Sequence, residues 1–252
     1  MKKIIILLLL LTLTSCSLIF PCRVLKRSGV FKSKGDLKVI KSNNKEQKIL
    51  FLGMRHIGRK EFYDDVAKKI DSLQKLEYVV FYENVKDTKD VDFLTAKNSA
   101  MKLRKLFGYS PEKHLDTATN IIAGKIKYRG KYKLINQPTY SALKTDFLTA
   151  TWSDVGLTEL ITEFEKKYSE IKLDSCDFKT DLKNRNYKCK KAKRKLAKNF
   201  KKEFISDYRD KHLANKIIES KKNKILVVYG AAHYYGLWWQ FQDLDKSIST
   251  KK

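Results

Sequence analysis

The sequence predicts an α/β fold with a mostly parallel central sheet and helices packed on its faces. Apolar runs without polar alternation occupy residues 49–52, 78–82 and 225–229, and such runs are typical of strands that are covered on both faces. Segments with helical spacing of apolar residues lie between these runs, which is the alternation expected of α/β proteins. Two of the runs are followed by the same Gly-x-x-His pattern.

Helical segments are predicted where apolar side chains recur every three to four residues. These stripes predict helices over residues 62–73, 93–107, 157–168 and 192–220, the last as one long helix or two abutting ones. Gly108 is expected to end the second helix, and Ser153 or Asp154 to cap the third at its N-terminus. A short strand is expected at residues 133–135.

One more helix is predicted over residues 110–122. An N-cap and first-turn sequence, Ser110-Pro111-Glu112, precedes it, and its apolar face would include Leu115. Because His114 falls in this predicted helix and His212 in a later one, both histidines are interpreted as surface or cap residues.

The first residues have the pattern of a secretory signal peptide. Two lysines precede a short apolar run, and that run cannot cross a bilayer, which needs about 20 residues. The run ends in Leu13-Thr14-Ser15-Cys16, which resembles the bacterial lipobox. Residues 1–15 are therefore expected to be a signal peptide, Cys16 to carry a lipid anchor, residues 16–44 to form a tether, and residues 45–245 to form one α/β domain. The expected location is the bacterial cell envelope, at the outer membrane or the cell surface.

The net charge is +26, which indicates an anionic partner such as a membrane surface, a nucleic acid or an acidic polymer. Twelve Lys or Arg residues and a single acid, Asp181, occupy residues 179–202. This stretch is either a solvated helix face or a contact for anionic lipid, which would contribute about 1 kcal/mol per basic residue near the surface. Nucleic acid is not an expected partner, because no zinc-finger, RNP-like or recognition-helix pattern occurs.

Three cysteines accompany Cys16 in the chain. Disulfides persist outside the cytoplasm, and Cys176 with Cys189 would close a short loop, which stabilises a fold by roughly 3 kcal/mol. Cys22 is then left over. No Cys-x-x-Cys occurs, which argues against a zinc ribbon or a thioredoxin-type motif.

Arg209 lies in the apolar stripe of the last predicted helix, four residues from both Ile205 and Leu213. An arginine cannot lose its charge, and its unpaired burial is costly. It is therefore expected to meet a carboxylate, a substrate anion or a row of carbonyl groups, or to extend to the surface.

Polar side chains at the predicted strand ends suggest a site. His56 and His233 complete the two Gly-x-x-His patterns, and Glu83 directly follows the strand at 78–82. Sites in open α/β sheets lie beyond the carboxyl ends of such strands, and two imidazoles with a carboxylate are usual donors for a catalytic divalent metal such as Mn, Co or Zn. The candidate metal ligands are His56, His233 and Glu83, and the candidate catalytic residues are Glu83 and Arg209.

A set of motifs follows one order over residues 47–240: Gly53-Met54-Arg55-His56, Glu83, Arg209-Asp210 with Leu213-Ala214, and Gly230-Ala231-Ala232-His233 with Gly236-Leu237. This order resembles the TraB/GumN/TIKI-like family and, more distantly, the ChaN and erythromycin-esterase-like proteins. The resemblance implies an α/β fold with both histidines, the glutamate and the arginine in one pocket, and metal-dependent proteolysis for some members. Arg55 is a departure, because such motifs often carry a small or polar residue there. Asn136-Gln137-Pro138 is another, standing where the family often has Asn-Ala-Asp.

These observations predict a lipid-anchored cell-envelope hydrolase, a metal-dependent peptidase or amidase acting on a peptide or small-molecule substrate. One alternative is a non-catalytic lipoprotein that captures haem, iron or a peptide. Another is a surface lipoprotein that acts through the basic stretch at 179–202. A serine hydrolase is disfavoured because no Gly-x-Ser-x-Gly occurs.

Overall fold

The computed structural model describes residues 23–41, 47–109, 114–124, 126–184 and 187–249, with the backbone alone at the end of the last range. The expected signal peptide, Cys16, Cys22 and the expected N-cap sequence at Ser110 lie outside the described residues. Within the ranges that are described, no helix is both long and apolar enough to cross a membrane.

Strands and helices have defined bounds along the described part of the chain. The strands are β1 (Leu37–Ile40), β2 (Lys48–Met54), β3 (Ile57–Arg59), β4 (Val79–Tyr82), β5 (Leu115–Asp116), β6 (Ile121–Ile122), β7 (Ile126–Lys127), β8 (Leu134–Asn136), β9 (Thr151–Trp152) and β10 (Lys224–Gly230). The helices are α1 (Lys60–Lys75), α2 (Phe93–Phe107), α3 (Leu157–Lys167), α4 (Ser175–Lys179), α5 (Arg194–Asn199), a π-helix (Phe200–Tyr208), α6 (Arg209–Glu219) and α7 (His233–Ser249).

The central sheet has the strand order β1-β2-β10-β4-β9. β10 pairs in parallel with both β2 and β4, β9 pairs in parallel with β4, and β1 is an antiparallel edge strand. Helix α1 packs on one face, while α6 and α7 cover the other. The predicted mixed α/β architecture with a mostly parallel sheet is therefore confirmed, and β10 lies at its buried centre because its side chains are apolar on both faces.

The stretch at 110–122 differs from the helix that its apolar spacing predicts. Its described part belongs to a three-stranded antiparallel sheet of β5, β6 and β7. Asn120 and Ala123 have positive φ angles of 53° and 49°, which turn the chain and exclude a continuous helix. Neighbouring isoleucines at 121, 122 and 126 favour strand because they are β-branched.

One further strand lies where a tether was expected, and the short strand predicted at residues 133–135 forms in a separate sheet. β1 falls inside residues 16–44, the stretch interpreted as a tether, and its four residues pair with β2. β8, expected at 133–135, joins β3 in a separate two-stranded sheet instead of the central one. Both strands are short, so their apolar patterns are weak.

The long helical segment predicted at 192–220 forms as three consecutive pieces, α5, the π-helix and α6. The π-helix ends at Tyr208, immediately before Arg209. π-Helical turns shift the faces of a helix and are frequent at functional sites. The expected cap of α3 is wrong: the N-cap position is Gly156, which makes no side-chain cap hydrogen bond, and Asp154 has a different partner.

A disulfide joins Cys176 to Cys189, with a Cα–Cα distance of 5.7 Å. It links α4 to the chain that precedes α5. Beside it, Arg104 is fully buried in α2 and donates hydrogen bonds to the carbonyl groups of Asp177, Thr180 and Asp181. This part of the chain is thus tied to α2 by covalent and polar contacts.

Candidate functional site

The two Gly-x-x-His loops lie side by side at one edge of the sheet. β2 and β10 are parallel neighbours, with Tyr229 opposite Gly53, and the amide of Ala231 donates a hydrogen bond of 2.9 Å to the carbonyl of Met54. A Cβ atom at Gly53 would come within 3.0 Å of the Ala231 side chain. Glycine therefore lets the loops approach, and both histidines follow strands that end at the same edge.

Arg209 binds the acidic groups of the site and is only 3% exposed. Its Nε and Nη2 atoms donate to Asp154 Oδ1 and Oδ2 at 2.8 Å each, and Nη2 also donates to Glu83 Oε1 at 2.6 Å. Nη1 lies 3.4 Å from the carbonyl oxygen of Ile205 and 3.3 Å from His233 Nε2. A guanidinium has five N–H groups, and five acceptors surround this one. As arranged, Arg209 holds side chains and has no donor left for a substrate.

Glu83 remains a carboxylate in spite of its burial. Burial favours the neutral acid, but the positive charge of Arg209, the electrostatic interaction with His233, the hydrogen bond from Arg209 and the electrostatic interaction with His56 outweigh it and hold the Glu83 pKa below its ordinary value. The Gly230 amide donates to Oε2 at 2.6 Å. The Glu83 side chain is 11% exposed, so this ionised, fixed carboxylate retains a small accessible surface.

His233 is held by a second carboxylate. Its Nδ1 lies 2.7 Å from Asp210 Oδ1. Because the Arg209 guanidinium can only donate, Nε2 of His233 accepts and Nδ1 carries the proton that it donates to Asp210. The pKa of Asp210 is raised by its burial, against the opposing effects of its hydrogen bond with His233 and of its electrostatic interactions with His233 and Arg209. Gly236 of α7 makes this contact possible, because a Cβ atom there would lie 1.8 Å from Asp210 Oδ2.

His56 stacks on His114, a residue interpreted from sequence as a surface or cap histidine. The ring centroids are 4.2 Å apart and the planes are inclined by 13°. Burial, and secondly the charge of His56, lower the His114 pKa to about 4, while Glu83 acts in the opposite direction. His114 is therefore neutral near pH 7, and the exposed ring of His56 lies against it.

Asn136 fixes the backbone beside this stacked pair. Its side chain accepts a hydrogen bond from the Leu115 amide and donates one to the Leu115 carbonyl, both at 2.8 Å. Asn136 lies in β8 opposite Ile57, and the next amide, of Gln137, donates to the His56 carbonyl at 2.9 Å. Asn136 thus connects β5, which follows His114, to β3, which follows His56.

Arg55 points away from the site. Nη1 of Arg55 donates to the carbonyl of Ser28, and the guanidinium lies 5.6 Å from the centre of the Phe62 ring. A Cβ atom at Gly29 would collide with that guanidinium, so the N-terminal chain packs closely around it. The guanidinium of Arg55, the residue that departs from the family pattern, is therefore directed towards the N-terminal chain and Phe62.

The predicted metal ligands do not form an open donor set in this arrangement. Both ring nitrogens of His233 have protein partners, and both carboxylate oxygens of Glu83 accept hydrogen bonds, one of them from a guanidinium. In the described part of the chain, no three His, Cys, Asp or Glu side chains are placed to hold a metal ion. A cation bound by His233 and Glu83 would have to displace Arg209, whose positive charge opposes it. The residues as placed therefore do not fit the metal.

Sequence reasoning placed His56, Glu83, Arg209 and His233 at one sheet edge, and the structure brings Glu83, Arg209 and His233 into direct contact. The sequence did not predict Asp154 as the partner of Arg209, because an acid just before a helical stripe is commonly an N-cap. His114 was missed because its surroundings were assigned to a helix. The only available signal for Asp154 was that the buried Arg209 required a carboxylate.

No family model, no curated protein and no solved structure matches the chain. The function of the protein must therefore be inferred from the geometry of the site.

Proposed function

We propose that this protein is a lipid-anchored cell-envelope hydrolase that cleaves a peptide or amide bond, of the type that its resemblance to the TraB/GumN/TIKI-like family implies. The observation that carries the proposal is the convergence of Glu83, His233 and Arg209 at the carboxyl edge of a parallel sheet, with His56 on the adjacent loop acting electrostatically on Glu83. This edge is where open α/β sheets place their active sites.

The chemistry assigned here uses the two accessible groups. His56 is exposed and Glu83 is partly exposed, whereas Arg209 and His233 are buried behind them. His56 takes a proton from water as the water oxygen attacks the carbonyl carbon, and it returns that proton to the leaving amine when the C–N bond breaks. The ionised Glu83 stabilises the imidazolium that forms in between. General base catalysis of this kind contributes on the order of 10²- to 10⁴-fold in rate.

Arg209, Asp154 and Asp210 hold this arrangement in place. Arg209 fixes Glu83, Asp154 fixes Arg209, and Asp210 sets the tautomer of His233. A metal-dependent version of the activity requires Arg209 to release Glu83 and His233 first. Metal analysis of the purified protein therefore distinguishes the two versions.

The test is hydrolysis of a panel of fluorogenic peptides, amino-acid amides and esters by the full chain in detergent. His56→Ala and Glu83→Gln should each lower kcat by on the order of 10²-fold or more, with unchanged circular dichroism. His212→Ala is the matched control, because His212 lies in α6 and contributes no hydrogen bond to the site. Unaltered turnover in both site variants, or no turnover of any substrate by the unsubstituted chain, would overturn the proposal.

Haem capture, the alternative expectation, has a separate test. His56 is exposed, whereas His233 has both ring nitrogens engaged, so the arrangement offers one accessible axial ligand at this edge. A Soret band that forms on mixing with haemin and disappears in the His56→Ala variant would support haem binding over hydrolysis.

A further inference from the structure

A dense basic surface lies on residues 187–202, here called the basic segment. Nine of its sixteen residues are Lys or Arg, and none is acidic. All nine cationic residues are exposed: Lys188, Lys190, Lys191, Lys193, Arg194, Lys195, Lys198, Lys201 and Lys202.

The backbone of the basic segment is fixed at several points. Tyr187 is buried and donates to Asp177 Oδ1 at 2.5 Å, and Cys189 is bonded to Cys176. The Ala192 amide donates to the Lys105 carbonyl at 3.1 Å. Because the backbone is held, the cations extend from an ordered support, and association with a partner requires little further ordering of the main chain.

These cations form no close ion pairs within the described part of the chain. None of the nine forms an ion pair with a carboxylate in the part of the chain that the structure describes, whereas lysines elsewhere do, as Lys60 does with Asp64. The acid that follows the segment, Glu203, is occupied by Lys167 and Tyr168. Like charges at this density repel one another and attract an external anionic surface.

We infer that the basic segment docks on an anionic membrane surface, a role that is independent of the hydrolase site. Eight of the nine cations are lysines, which act as point charges, whereas bidentate recognition of single phosphates or carboxylates favours arginine. Both aromatic residues of the segment, Tyr187 and Phe200, are buried, so no ring in it is available to stack on nucleic-acid bases. A spread of lysines on an ordered backbone suits diffuse attraction to lipid headgroups.

Co-flotation with vesicles tests the inference. The full chain is mixed with phosphatidylcholine vesicles that either contain or lack phosphatidylglycerol, so that any affinity of the N-terminal apolar run is common to both. Changing Lys188, Lys190, Lys193 and Lys195 to glutamine should weaken binding to the anionic vesicles several-hundred-fold, from about 1 kcal/mol for each charge. Raising salt from about 0.1 M to 1 M should have a similar effect, because the Debye length falls from ~10 Å to ~3 Å.

A matched variant controls for net charge. Lys68, Lys89, Lys97 and Lys222 are exposed and lie outside the basic segment, and their change to glutamine should reduce vesicle binding far less. Equal losses in the two quadruple variants would overturn the inference, as would equal binding to both kinds of vesicle. Retained vesicle binding with loss of binding to a single-stranded oligonucleotide would reassign the segment to nucleic acid and also overturn it. None of these binding results depends on whether the candidate site has hydrolase activity.

Discussion

Asp154 holds Arg209 through two parallel hydrogen bonds of 2.8 Å, one to each carboxylate oxygen. The side chains are 0% and 3% exposed, respectively. Planar guanidinium and carboxylate groups match in this geometry, which fixes orientation as well as distance. The orientation of Glu83 and His233 at the candidate site therefore depends on Asp154, a residue that is itself fully buried.

Loss of the Asp154 charge should destabilise the fold strongly. In Asp154→Asn, Arg209 keeps its charge but loses its bidentate partner, and removal of one member of a buried ion pair costs about 3–5 kcal/mol. Urea unfolding measures the change. The control is Asp64→Asn, which breaks an exposed pair with Lys60 and should cost at most about 1 kcal/mol. Similar losses in both variants would contradict the assigned role.

Glu83 should make the fold sensitive to acid. Its pKa in the folded protein lies below the ordinary 4.5, so its stabilising effect is complete above that value and is lost as the pH falls through the lower, folded-state pKa. The difference in unfolding free energy between the wild type and Glu83→Gln should therefore shrink as the pH falls below 4.5. Glu77→Gln is the control, because Glu77 is 85% exposed. A difference that stays constant with pH would disprove the expectation.

His114 should titrate well below an ordinary histidine. Its pKa is about 4, against a usual 6.5, because burial and the adjacent His56 disfavour the proton. The unfolded chain takes up that proton near pH 6.5, so stability should decline as the pH falls from 6.5 towards 4. NMR titration of the His114 ring gives the pKa directly. In His56→Ala the value should rise but stay under 6.5, and a titration near 6.5 in the wild-type protein would refute the stacked, buried placement.

Gly236→Ala should disturb the Asp210–His233 pair. The new Cβ atom would lie 1.8 Å from Asp210 Oδ2, so α6 and α7 must separate or Asp210 must move, at a cost of about 1–3 kcal/mol. Asp210→Ala removes the oxygen, since Cβ of Asp210 is 3.5 Å away. The cost of Gly236→Ala should therefore fall in the Asp210→Ala background, as a double-mutant cycle will show. If the two substitutions lower the free energy of unfolding additively, the contact between position 236 and Asp210 is not the cause of the destabilisation.

The Cys176–Cys189 disulfide should contribute about 3 kcal/mol, because it closes a loop between residues 13 apart in the sequence. Urea unfolding with and without dithiothreitol should show this loss in the unsubstituted chain. The double variant Cys176→Ser/Cys189→Ser should be less stable by the same amount and should not respond to the reductant. A response to dithiothreitol in that variant would indicate another source of the effect.

Much of the architecture was predictable because it depends on local patterns. The unbroken apolar runs indicated β2, β4 and β10, and the 3.6-residue spacing indicated α1, α2 and α3. The chemistry of Gly108 indicated where α2 ends, and the structure has it at φ 74° in the C-cap position. The stretch at 114–127 was not predictable in this way, because strands of two residues carry no periodicity and positive φ at Asn120 and Ala123 has no reliable sequence signal.

The sequence by itself determined which side chains end the strands, since His56, Glu83 and His233 each follow an apolar run, and it determined that a buried Arg209 needs an acidic partner. Only the tertiary structure decided which acids those are. Asp154 and Glu83 come from separate strand ends, and the pairing of β4 with β9 and β10 brings them to one guanidinium. Contacts between residues far apart in sequence depend on strand order and register, which no local pattern encodes.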